Sequence, residues 1–97
     1  MPIKGDISLG TNLGDGYSYI RKAVIGDNTY HTVMDKRRTE RLIIFSPAPD
    51  ERDTFIVLSD SSSTPVIENL SNILGLVKVK EEDKNMFIYK AKKVIRR

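Results

Sequence analysis

The sequence predicts an α+β domain built on a mostly antiparallel, meandering sheet or a small, partly open barrel, with one short amphipathic helix packed on it. Three observations lead there. Several short runs of aromatic and branched residues are separated by tight-turn residues, as strands of one sheet are. A single window, TPVIENLSNILG, changes from alternating to helical spacing, and the chain then returns to alternation in LVKVK. The expected order is therefore β-β-β-β-α-β-β, and 97 residues allow one core. A composition of 39% apolar and 30% charged residues is that of a folding chain.

The first 15 residues hold three of the six glycines and read as a flexible arm or a first irregular strand, with residues 16–97 as the globular domain. Tyr17 to Ile25 and Thr29 to Asp35 form the first hairpin, because Gly26, Asp27 and Asn28 between them tolerate the backbone of a tight turn. Strict alternation places Tyr17, Tyr19, Arg21, Ala23 and Ile25 on one face and Ile20, Lys22 and Val24 on the other. A charged connection leads to a strand over Arg41–Ser46, bounded by Pro47 and Pro49, which lack the N–H that a ladder needs. PDERD turns the chain into TFIVLSD. The unbroken apolar runs Leu42–Phe45 and Phe55–Leu58 mark the central pair and predict burial on both faces.

In the helix, Val66, Ile67, Leu70, Ile73 and Leu74 share one side. Thr64 suits the cap, Pro65 the first turn, Glu68 the positive end of the dipole and Gly75 the stop. A helix of about 11 residues needs a sheet to lie on. LVKVK and MFIYKAKKVIRR, turned by EEDKN, form the closing hairpin, with Lys78 and Lys80 outward and only Ile95–Arg97 expected to be loose.

Charge is unevenly placed. Residues 1–77 carry a net −2 and residues 78–97 a net +5, an asymmetry that points to an anionic partner, nucleic acid above all. The chain has no cysteine, which excludes disulfides, zinc thiolates and thiol nucleophiles. MPIKGDISLG lacks the apolar core of a signal peptide, and the longest apolar runs, LIIF and FIVL, are far from the ~20 residues of a membrane span. A cytoplasmic protein with no membrane contact is expected.

His31 is the one histidine, placed in mid-strand without an acidic or thiol neighbour at ligand spacing, and reads as a polar strand residue. Asp50, Glu51 and Asp53, interrupted by Arg52 and bounded by prolines, read as a solvated turn and not as a cation site. Gly5-Asp6, Gly14-Asp15 and Gly26-Asp27 fit no phosphate-binding loop. Asn69-Leu70-Ser71 spells a glycosylation sequon inside the helix, where it has no use. No acid–base pair or activated nucleophile can be assembled, so a non-enzymatic module without metal or cofactor is expected.

Two stretches resemble the paired motifs of PilZ domains, β-barrels that bind cyclic di-GMP. Arg37-Arg38-Thr39-Glu40-Arg41 has the RxxxR spacing, and Asp60-Ser61-Ser62 begins the second motif, whose closing glycine is replaced here by Pro65. The resemblance implies a cyclic-dinucleotide site at these residues.

The leading expectation is a nucleic-acid-binding module, single-stranded substrates included. Arg21, Lys22, Lys78, Lys80, Lys90, Lys92, Lys93, Arg96 and Arg97 would track phosphates, and Tyr17, Tyr19 and Tyr89 would stack on bases. The order of strands around the helix is similar to that of oligonucleotide-binding barrels, which place a helix ahead of their last two strands. The alternative is a protein-interaction or assembly subunit, viral or regulatory, acting by strand addition or self-association.

Overall fold

The structure, a computed structural model, describes residues 7–59 and 64–92. It contains strands β1 (Asn12–Gly14), β2 (Tyr17–Ile25), β3 (Asn28–Met34), β4 (Glu40–Pro47) and β5 (Thr54–Ser59), helix α1 (Thr64–Ile73), and strands β6 (Leu76–Asp83) and β7 (Met86–Ala91). All seven strands join one antiparallel sheet, curled into a half-barrel, in the order β1-β2-β3-β4-β5-β7-β6.

The sheet meanders as far as β5 and then departs from a simple meander. The chain crosses through α1 to the far edge, and β7 returns between β5 and β6. Two antiparallel pairings in succession leave β5 and β6 parallel, so the helix serves as a crossover connection. No helix among the described residues is long and apolar enough to cross a membrane.

The sheet closes its concave side on α1. Val66, Ile67, Leu70 and Leu74 join Leu13, Tyr19, Val33, Ile43, Phe45, Val57, Leu76, Phe87 and Tyr89 in one core. Ile73, expected on the buried stripe, is 39% exposed, and Ser71 takes its place in the interior. The helix begins at Thr64, so its cap position falls on Ser63, outside the described residues. Gly75 at φ 81° ends it in the left-handed region, as its position after the apolar stripe predicts.

α1 is tied to both edges of the curl. Asn69 Nδ2 donates to the Leu13 carbonyl of β1 at 2.6 Å, and Lys78 Nζ of β6 donates to Glu68 Oε2 at 3.1 Å. Glu68 thus serves a cross-link and not the helix dipole, since the first turn carries no acid. Leu13 of β1 is fully buried and Ile7 packs against the core. Residues 1–6 lie outside the described residues.

Two expectations about faces and one about a turn change. A bulge at Ile20 separates the pairs Tyr19↔Val33 and Arg21↔Thr32, so Tyr19 shares the concave face with Lys22 and Val24 while Arg21 and Ala23 point outward. The ladder of β6 continues through Glu81–Asp83, with two further irregularities, and the turn shrinks to Lys84-Asn85. The central strands are buried on one face only: Ile43, Phe45 and Val57 are within 3% of full burial, but Leu42 and Leu58 are 39% and 37% exposed.

Candidate binding face

The register across the sheet assembles the outer face from residues far apart in sequence. Ala23 lies opposite Tyr30, Tyr30 opposite Ile44, Ile44 opposite Leu58 and Leu58 opposite Met86. This is an apolar row across five strands, and Asp83 of β6 ends it. The neighbouring row runs Ser46, Ile56, Ile88, Lys80. Leucine, isoleucine and methionine fill outward positions of β4, β5 and β7, where an antiparallel sheet with one wet face would carry polar residues. α1 lies on the opposite side, and the loop Ala48–Glu51 borders Ile56 and Ile88.

Two shallow grooves cut this face. One, of about 430 Å³, lies between the loop Ala48–Glu51 and the irregular part of β6, with Ile56, Val79 and Ile88 as its apolar floor. Asp50, Glu51 and Glu82 line its rim with Lys80, whose Nζ is 2.9 Å from Glu82 Oε2 and whose pKa is raised by that bond. The other, of about 360 Å³, is lined by Leu42, Ile44, Leu58, Ser59 and Asn85.

The residues expected to hold nucleic acid do not converge. Tyr19 and Tyr89 are 2% exposed and belong to the core, so neither ring can stack on a base. Tyr17 is half-buried against the same core. On β7 the rings Phe87 and Tyr89 face α1 while Lys90 faces outward opposite Thr54, so alternation separates the aromatics from the lysine. Lys78, expected outward with Lys80, shares the concave face with Tyr89 and binds Glu68 instead. Arg21 pairs with Glu40 at 3.4 Å and Lys92 Nζ donates to Asn72 Oδ1 at 3.2 Å. Arg21 and Lys22 on β2 lie four strand spacings from Lys90 on β7, about 19 Å along the sheet at ~4.8 Å per step. Lys93, Arg96 and Arg97 lie outside the described residues.

The RxxxR stretch is a turn organised by Asp35. Asp35 Oδ1 accepts the N–H groups of Thr39 and Arg37, each at 2.9 Å, and Oδ2 accepts Arg41 Nε at 3.2 Å. These bonds, that from Thr39 foremost, hold the carboxyl below its usual range. Arg41 is thereby occupied within the chain, and Asp60–Ser62 lie outside the described residues.

His31, a polar residue within β3, is 2% exposed, with Nδ1 2.9 Å from Tyr19 Oη and its ring edge-on to Phe45. Burial, reinforced by the nearby Lys22, lowers its pKa to about 4, so it is neutral at pH 7. Among the described residues no three histidine, aspartate or glutamate side chains are grouped to hold a metal ion.

No protein-family model, curated protein or solved structure matches the chain. What distinguishes this surface is its arrangement: one sheet whose concave side holds the core and whose outer side carries an apolar row.

Proposed function

We propose that the chain is a binding module whose outer sheet face docks a protein surface, either that of a second copy or that of a different protein. The observation that carries this reading is the outward apolar row Tyr30, Ile44, Leu58, Met86, with Leu58 exposed and the other three half-buried, on central strands whose sequence is suited to burial on both sides. A partner seated there would cover Leu42, Leu58 and Val79, now 39%, 37% and 55% exposed. Sedimentation velocity over a hundredfold range of concentration separates the two kinds of partner. A second copy gives a sedimentation coefficient that rises with concentration in the native chain and is flat in Leu58→Lys.

Nucleic acid binding is the second reading, supported by Lys80 and Lys90, which flank the outer face, and by the basic composition of residues 92–97. Its signature is salt dependence. Affinity for a single-stranded oligonucleotide should fall with salt on a log–log slope that shrinks by about 0.7 for each contacting lysine removed. No detectable binding at low salt removes this reading.

A further inference from the structure

We propose that the groove between the Ala48–Glu51 loop and β6 receives an extended segment of a partner protein in which an aliphatic side chain stands beside lysine or arginine. The inference rests on the reading of the outer face as a docking surface and adds what the partner presents there.

The groove is shaped by two irregularities of β6. Lys78 pairs with Tyr89 and Lys80 with Ile88, then Glu81 with Phe87 and Asp83 with Met86, so Val79 and Glu82 are the extra residues of two bulges. A bulge bends its strand and re-aims a side chain. Both added residues line the groove, Val79 on the floor with Ile56 and Ile88, Glu82 on the rim. Bulges and lysines also make an edge a poor template for another strand, and β6, which ends the sheet, carries both. The occupant therefore lies over the outer face and does not extend the sheet.

The rim sets the sign of the partner. Asp50, Glu51 and Glu82 face one cation, Lys80, which Glu82 binds at 2.9 Å and Glu51 stabilises further through space. Three carboxylates against one ammonium leave the rim at −2, on a chain whose net charge is +3. An acidic segment is repelled there, whereas a guanidinium or ammonium forms charge-assisted bonds. The floor sets the other half of the chemistry. Val79 is 55% exposed and Ile56 and Ile88 are half-buried, so an aliphatic side chain laid on them removes apolar surface from water. Shallowness favours a chain segment over a small molecule, because small-molecule sites enclose roughly 70–90% of their ligand. A segment continues past the groove onto the adjoining row at Ile44 and Leu58.

The test is a methyl NMR titration of the full chain with three capped peptides, GRLIRG, its acidic counterpart GELIEG and its polar counterpart GRSSRG. GRLIRG should shift the methyls of Ile56, Val79 and Ile88, and each counterpart should bind about tenfold more weakly, one for want of apolar contact and the other through reversed charge. Asp50→Asn with Glu51→Gln, both at exposed positions, should weaken GRLIRG by about threefold. Equal affinities for the three peptides, no shift at millimolar GRLIRG, or shifts centred on Leu42 and Leu58 with Val79 unmoved overturn the proposal. Failure here is distinguishable from failure of the outer-face reading. A crosslinker at Leu58 that captures a partner protein, while the groove refuses GRLIRG, removes this inference and leaves that reading in place.

Discussion

His31 shows how a core position sets the pH response of the whole domain. Its folded pKa, about 4, lies below the unfolded value of 6.5, so between these values the unfolded chain binds the extra proton. Stability from this group is thus complete above about pH 6.5 and is lost as pH falls toward 4, a difference of about 3 kcal/mol at ~1.4 kcal/mol per pH unit. Urea denaturation at pH 7 and pH 4.5 should find this loss in the native chain and a much smaller one in His31→Phe. Tyr19→Phe leaves Nδ1 buried without its partner and should cost about 1–3 kcal/mol at pH 7. Tyr89 behaves in the opposite way. Its hydroxyl and that of Ser71 are buried near each other outside good hydrogen-bonding geometry, and burial, partly opposed by Ser71, pushes the phenol's pKa up. Tyr89→Phe should therefore be neutral or stabilising by up to about 1 kcal/mol in the same measurement. Alternation separates Tyr89 from Lys90 correctly, but the place of Tyr19 was not legible from it. The bulge at Ile20 shifts Tyr19 to the other side of the register from Arg21, and a bulge depends on pairing that one strand's sequence does not display.

At the scale of elements, α1 was legible almost to the residue, because its apolar spacing, Pro65 and Gly75 are all local signals. Its cross-links were not, since they join residues distant in sequence. Gly14 combines a φ of 91° with a built Cβ position only 2.9 Å from Asn69 Nδ2, the atom that holds Leu13. Gly14→Ala should cost about 2 kcal/mol or more, from left-handed strain of ~1–2 kcal/mol together with the displaced amide. Asn69→Ala should cost about 1 kcal/mol, and the double variant less than the two together, because the clash is gone once Asn69 is truncated. The central strands were correctly placed but their surroundings were not. LIIF and FIVL have the composition of strands buried on both faces, and composition registers what a face can tolerate, not what lies on it. The sheet tests this contrast between two positions of like size. Ile43→Ala on the concave face should cost about 2–5 kcal/mol, whereas Leu58→Lys on the outer face should change stability by about 1 kcal/mol or less.

For the molecule as a whole, the sheet divides the charged and apolar residues in a way that the linear sequence conceals. Residues 78–97 look like a basic tail by count, yet Lys78 is bound to the helix, Lys80 to Glu82 and Lys92 to Asn72, and of the tyrosines meant to accompany them Tyr19 and Tyr89 are in the core and Tyr17 is half-buried against it. What remains coherent is the apolar outer face, assembled by register from five strands and half-buried except at Ala23 and Leu58. That face is the centre of the functional reading, and site-specific photo-crosslinking tests it most directly. A benzoylphenylalanine is placed at Leu58, 37% exposed on the outer face, or at Ile73, 39% exposed on the helix at the opposite side. In the cells that produce the protein, a protein adduct of discrete mass from position 58 and none from position 73 is the predicted result. Equal adducts from both positions, or none from position 58, contradict it.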